Sequence, residues 1–392
     1  MPETQKLLFV CNTSWGTYKY RLEVLRKLML SGYQVYVLAP EDRYSVRLTS
    51  EPGLTFIPLY HFRATRLSPV HDWKLYRELG CHYQQINPDL IFHYTIKANI
   101  YGTLAAAKAG HVSISVITGL GYAFLNNRWM SSAATFLYRF ALKKAAEIWF
   151  LNQDDRHYFI NRDIVVARKT AILPGEGIDT IKFSSTKNPK TSKAVRFLLI
   201  GRLLKEKGIA EYAEAAAILK EKGLPVICRV VGFYDKRNSS AIPRRKLLEW
   251  TESGFIHYEG GTDDIIPFIE DADCIVLPSY REGLPVGLLE GASMSRPLIA
   301  TDTAGCRDLV IPGRNGFLCA PRNAAALAVS MEQFCRLTPE SRIKMGRESR
   351  ALVESGFAIE RIKAIYLARI SALLEQSPME KSIAHPAQNI PG

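Results

Sequence analysis

Little in this chain would send it out of the cell or through a membrane. Its seven cysteines (Cys11, Cys81, Cys228, Cys274, Cys306, Cys319 and Cys335) are odd in number, lack paired spacing and mostly sit in apolar runs. No disulfide framework is expected, and a reducing compartment fits. The opening MPETQKLLFVCN lacks the basic stretch, long apolar stretch and small-residue cleavage site of an export signal, so a cytoplasmic protein is expected. No apolar run is long enough to span a bilayer; the best, VSISVITGLGYAFL at 112–125, is too short and holds two glycines. A nicotinamide-dependent oxidoreductase would want G-x-G-x-x-G after the first strand, where this sequence reads CNTSWGTYKY. There is no concentrated basic arm either: the net charge of +13 is spread over both halves, and nucleic acid is not an expected partner.

What is present is a long alternation of short apolar runs with helical patterns. At 392 residues and 47% apolar content, two globular domains are expected. LLFVCN (7–12), YQVYVLAP (33–40), PDLIFHY (88–94), SISVIT (113–118) and EIWFLN (147–152) read as buried strands between helices. After a polar, lysine-rich stretch at 184–196 the pattern restarts with FLLIG (197–201), PVICRVVG (225–232), DCIVLPS (273–279) and RPLIAT (296–301). Near-continuous apolar strands separated by helices imply parallel sheets covered on both faces. The expected fold is therefore α/β, with two doubly wound, Rossmann-like domains at 1–183 and 197–357 facing across a cleft. A last helix at 358–376 is expected to return to the first domain, with a disordered tail at 377–392.

Ligands of open parallel sheets sit beyond the carboxyl ends of the strands, so the loops there are the places to search. One is REGLPVGLLEGA (281–292), a loop turning into a helix. Unbonded amides around Gly283 to Val286, backed by the helix dipole, suit an anion. Glu282 at the mouth and Glu290 further along the helix suit sugar or ribose hydroxyls, or else simply complement a helix N-terminus. The second is LLIGRLLKEKG (198–208), where Arg202 and Lys207 follow a strand end; they suit a diphosphate, or form an exposed basic loop. Asp271-Ala-Asp273 spells a metal-binding pair, but it precedes its strand and is taken as structural. RWMSSAATFLYRFALKK (128–144) is a basic amphipathic helix that would lie on an anionic membrane surface or pack with a solvated edge.

Taken together, GRLLKEKG, EGLPVGLLE with its E-x7-E spacing, LPGEGID (173–179), GTDDI (261–265), CIVLPS and TDTAGCRDLVIPGRNGFL (301–318) resemble the retaining glycosyltransferase family four, whose fold is GT-B. FHYTIKANIYG (92–102) and VITGLGYAF (116–124) are similar to the branch that adds N-acetylhexosamines to polyprenyl-diphosphate-linked precursors of bacterial surface glycans. The resemblance implies retaining transfer of an N-acetylhexosamine or hexose from a UDP-sugar, with no cofactor and no metal, to a lipid-linked saccharide at the cytoplasmic face of the inner membrane. It implies that Arg202, Lys207 and the amides of Gly283 and Leu284 hold the donor diphosphate. Glu290 would hold the ribose, Glu282 the donor sugar, Gly177 would let backbone approach the donor, and Thr262 and Asp263 would sit near the base. Gly16 would border the acceptor, together with Thr118 and Gly119, while Lys97 and Asn99 would meet its phosphate.

Many members of that family carry a histidine where this chain has Thr118-Gly119. His93, at the end of LIFHY, is a substitute candidate facing the cleft, or a buried strand-end histidine satisfied by backbone. The competing activities are a sugar-nucleotide epimerase or glycan phosphorylase of similar shape, and a basic membrane-surface scaffold without catalysis.

Overall fold

The computed structural model describes residues 4–63, 68–120, 128–185, 194–235 and 238–383, with backbone alone for 128–131, 133 and 376–383. The chain divides into two compact units, residues 1–150, 156–176 and 360–392 in one, and 151–155 with 177–359 in the other. In the first unit the strands are β1 (Lys6–Val10), β2 (Gln34–Ala39), β3 (Leu54–Pro58), β4 (Leu90–Tyr94), β5 (Ser113–Ile117), β6 (Glu147–Phe150) and β7 (Thr170–Ile172). They form one sheet in the order β3-β2-β1-β4-β5-β6-β7, and every neighbouring pair is parallel.

Alternate residues of these strands serve opposite faces. Leu8, Val10 and Ile91 pack with Leu75, Leu79 and Tyr83 of the helix Pro69–Ile86. On the other face Phe9 stacks on Phe92 at 4.7 Å, and Tyr366 of the last helix lies against Phe92 and Trp149 at 5.4 and 5.1 Å. The Tyr94 and Tyr366 hydroxyls meet at 2.6 Å. The last helix runs Ile359–Ile383, so its backbone continues beyond the expected end at 376. Met379, Glu380 and Lys381, all strong helix formers, carry it past Pro378.

The second unit holds β8 (Val195–Ile200), β9 (Val226–Val231), β10 (His257–Tyr258), β11 (Cys274–Leu277), β12 (Leu298–Thr301) and β13 (Gly316–Cys319), parallel throughout, in the order β10-β9-β8-β11-β12-β13. In both sheets the chain moves outward from a central strand, β1 or β8, and then resumes on its other side. The loops after β8 and β11 thus lie side by side at a switch of strand order, where an open parallel sheet receives ligands.

One expected boundary shifts. The changeover between units falls at Glu176–Gly177 rather than near 183, because 177–185 is tied to the second unit: Ile178 pairs with Ala358, and Ser293 Oγ and Arg350 donate to the carbonyl of Phe183 at 2.7 and 3.4 Å. The stretch after β1 is a helix, Ser14–Tyr20, which Thr13 Oγ1 caps by accepting from the Gly16 amide at 3.0 Å. Of the polar stretch, 186–193 lies outside the described residues, as do 121–127 of the VITGLG region and 384–392 at the C-terminus.

Candidate active site

The turn that carries Lys207 is fixed from below by the end of β11. The carbonyl of Glu206 accepts from the Tyr280 amide at 2.8 Å and from Ser279 Oγ at 3.0 Å. Gly208 follows with φ of +72°, and a Cβ there would lie 2.1 Å from the carbonyl oxygen of Pro278, so only glycine allows this approach. With the two loops joined, Lys207 Nζ reaches Glu282 Oε1 at 2.5 Å, their side chains only 18% and 11% exposed. Arg202, two residues after β8, is exposed and pairs with no carboxylate among the described residues.

After Glu282 the backbone runs through Gly283 and Leu284, both buried, into the helix Val286–Ser293. Pro285 stands at the N-cap, one residue ahead of the first turn, where its missing N–H is equally harmless. The first helical bonds run from Leu288 and Leu289 to the Pro285 carbonyl. The amides of Gly283, Leu284, Val286 and Gly287 consequently have no acceptor among the described residues. Four unbonded amides at the positive end of a helix, with Lys207 beside them, make a place for an anion. Glu290 lies one turn into the same helix and is half-buried.

Several residues that frame this loop escaped sequence reasoning. Asn152 Nδ2 donates to the Gly283 carbonyl at 2.6 Å and to Asp155 Oδ2 at 3.1 Å, while Asn152 Oδ1 accepts from the Asp155 amide at 2.7 Å. Asp155 is fully buried and ion-paired with Arg281; burial pushes its carboxyl pKa up and Arg281 opposes that. Nothing in the spelling LNQDDR marks them, because the partners lie 126 and 131 positions away. Gly305 at φ +76° lets the 303–306 loop pass the carbonyls of Glu282 and Gly283, and the Glu282 amide donates to Ala304 at 3.2 Å. Cys306 behind it is buried and its thiol is pushed up to about 12, which keeps it protonated and unreactive.

The remaining candidates lie elsewhere. Gly177 has φ of +80°, and Thr262 closes a small turn after β10, its hydroxyl accepting from the Asp264 amide at 3.1 Å; Asp263 is exposed between them. Asp271 and Asp273 are held by arginines: Arg196 donates to both, from its backbone amide to Asp273 at 2.8 Å, and Arg229 pairs with Asp271 at 3.0 Å.

In the first unit three expected roles do not fit the geometry. His93 is entirely buried, with Nε2 2.9 Å from the Tyr83 hydroxyl and Nδ1 3.2 Å from Thr103 Oγ1, and its ring packs on the backbone of Gly102. It is a core histidine that burial keeps neutral, with its pKa pushed down to about 3. Lys97 is buried against Asp72 at 2.6 Å, since a cation beneath the helix Pro69–Ile86 needs a counter-charge there, and it is not presented to an acceptor phosphate. Asn99 is likewise buried, its Nδ2 bonded to the Val116 carbonyl at 3.0 Å, bracing β5. Gly16 sits in the first helical turn, and half-buried Thr118 and Gly119 follow β5, with Gly119 at φ +131°.

The His93 environment makes a checkable demand on stability. A group whose folded pKa lies below its unfolded value stabilises the fold above the unfolded value and loses that contribution as pH falls. Between pH 6.5 and about 3 the folded chain should therefore weaken as His93 is driven to ionise. The urea midpoint is expected to fall between pH 7 and pH 5, and to fall less in His93→Gln, as followed by circular dichroism.

Two Rossmann-like parallel-sheet domains place the chain in the GT-B fold class. Sucrose-phosphate synthase from Thermosynechococcus elongatus superimposes with a TM-score of 0.81 at 17% identity, covering 95% of this chain and 100% of that one. The family described as glycosyl transferases group 1 matches residues 180–352, and the glycosyl transferase 4-like domain matches 16–175. Between them the two family models span most of the chain, and it is a glycosyltransferase. Among curated relatives, the N,N'-diacetylbacillosaminyl-diphospho-undecaprenol alpha-1,3-N-acetylgalactosaminyltransferase of Campylobacter jejuni is 27% identical over 86% of this chain and 90% of its own length. The UDP-Gal:alpha-D-GlcNAc-diphosphoundecaprenol alpha-1,3-galactosyltransferase of Escherichia coli is 26% identical over 71% and 75%.

Proposed function

We propose that this enzyme transfers an N-acetylhexosamine or hexose, with retention and without a metal, from a UDP-sugar to a polyprenyl-diphosphate-linked saccharide. The observation that carries the reading is the group of unbonded amides from Gly283 to Gly287 beside Lys207, at the switch of strand order in the second sheet. As the bond between the sugar and the UDP oxygen breaks, charge grows on the diphosphate. Fixed amides, the Lys207 ammonium and the Arg202 guanidinium supply the compensation, and each such donor is typically worth about 10²–10³ in rate. The acceptor hydroxyl attacks from the face that the diphosphate vacates, and its proton passes to a phosphate oxygen of the leaving group. Glu282 orients the donor sugar, and Glu290 accepts from the ribose hydroxyls. Because protein cations neutralise the leaving group, EDTA is expected to leave the rate unchanged.

The acceptor class is supported by the two curated relatives, whose names specify undecaprenol-linked substrates. A lipid-linked acceptor requires access to the cytoplasmic leaflet, and the helix Arg128–Leu142 offers Phe136 and Phe140, 69% and 57% exposed, with Lys143 and Lys144 following. Changing both phenylalanines to serine is expected to abolish co-sedimentation with anionic vesicles while sparing UDP binding.

The deciding experiment combines a thermal-shift panel of nucleotide sugars with product analysis on a synthetic polyprenyl-diphosphate saccharide. One UDP-sugar at 100 times its Kd should stabilise the fold by about 2.7 kcal/mol, and the new linkage should keep the donor's anomeric configuration by NMR. No stabilisation by any nucleotide sugar, or an inverted product, would overturn the reading.

A further inference from the structure

We propose that Asn152 is a positioning residue that turns the amides of Gly283 and Leu284 toward the anion. This rests on the donor site proposed above. The argument starts from the peptide bond. In a trans peptide the carbonyl and the N–H point to opposite sides, and no described peptide in this chain is cis. The Gly283 carbonyl shares its plane with the Leu284 N–H, and the Glu282 carbonyl shares its plane with the Gly283 N–H. Asn152 Nδ2 holds the first carbonyl at 2.6 Å and approaches the second at 3.5 Å. One side-chain amide therefore draws both oxygens to the same side and sends both N–H groups away from it. Those are two of the amides left without an acceptor.

Asn152 is itself held in place. It is 2% exposed, its Oδ1 accepts from the Asp155 amide at 2.7 Å, and its Nδ2 also donates to Asp155 at 3.1 Å. Asp155 is in turn ion-paired with Arg281, the residue just before Glu282. Residues 151–155 belong to the same compact unit as the loop they brace. Gly305, whose Cβ would stand 2.6 Å from the Gly283 oxygen, keeps the other flank of the carbonyls clear. A peptide free to rotate would present its oxygen to the diphosphate in a fraction of molecules, and a carbonyl facing an anion repels it. Preorganisation by Asn152 removes that fraction.

The test uses Asn152→Asp, which keeps an oxygen to cap the Asp155 amide but replaces the donor by a carboxylate, with Asn152→Ser as a second variant that shortens the side chain and adds no charge. Calorimetric titration of the full chain with UDP and with uridine separates phosphate-dependent from base-dependent binding. The expected result is a UDP Kd raised tenfold or more, with the uridine Kd within twofold of wild type and kcat lowered. An unchanged UDP Kd, or an equal loss for uridine, in whichever variant remains folded by thermal denaturation overturns the proposal. Should wild-type protein not bind UDP, the donor-site reading fails by itself; the ¹⁵N shifts of Gly283 and Leu284 then decide for Asn152, moving in the variants if it orients these peptides and staying fixed if it does not.

Discussion

Lys207→Ala is expected to lower kcat by about 10²–10³, the typical effect of losing one preorganised donor to a developing anion. The same substitution strands the Glu282 carboxylate, which is 11% exposed and has Lys207 at 2.5 Å. Removing one member of a fully buried pair costs about 3–5 kcal/mol, and partial exposure makes the cost here smaller. Structure and catalysis can be separated, because Lys207→Ala combined with Glu282→Gln removes both charges. The double variant should regain most of the lost stability in urea titrations and none of the lost rate. Full transfer activity in Lys207→Ala would remove this residue from the diphosphate site.

Gly208→Ala is expected to damage the second unit severely. At φ +72° an alanine pays about 1–2 kcal/mol for the left-handed conformation alone. Its Cβ would also lie 2.1 Å from the Pro278 oxygen, which is backbone at the end of β11 and has nowhere to retreat. A forced backbone shift adds about 1–3 kcal/mol. A total near 3 kcal/mol should lower the Tm by about 6–12 °C. The shift would also separate the turn bearing Lys207 from Glu282, so UDP binding should weaken in the fraction that remains folded. A variant with wild-type Tm would show that the two loops are not held by this contact.

The sequence carries these effects with unequal clarity. Strands such as LIFHY and CIVLPS are legible because burial on both faces demands unbroken apolar runs, and Gly208 and Pro285 mark turns by their own chemistry. Lys207, Glu282 and the 283–287 amides could be placed together because strand-end loops converge once a parallel order is assumed. For His93 two readings stay open in the sequence, and for Lys97 the expected exposure fails, for a different reason. At the end of a buried strand, polarity alone does not say whether a side chain turns outward or finds Tyr83, Thr103 or Asp72 inside, and those partners come from elements that local pattern does not relate. Asn152 and Asp155 were invisible for the same reason: their hydrogen bonds and ion pair close on residues more than a hundred positions away.

The ring of Tyr366 has a bearing on how the protein is made. Synthesis delivers residues 1–176 first, enough for all seven strands of the leading sheet, yet Phe92 and Trp149 on that sheet are covered by Tyr366, which is made only after every strand of the second sheet. Until Tyr366 has been made, the nascent sheet displays an aromatic stripe. A chaperone would find its target there, and a stop codon before position 366 would leave that stripe permanently bare, yielding an aggregating fragment rather than a shorter enzyme.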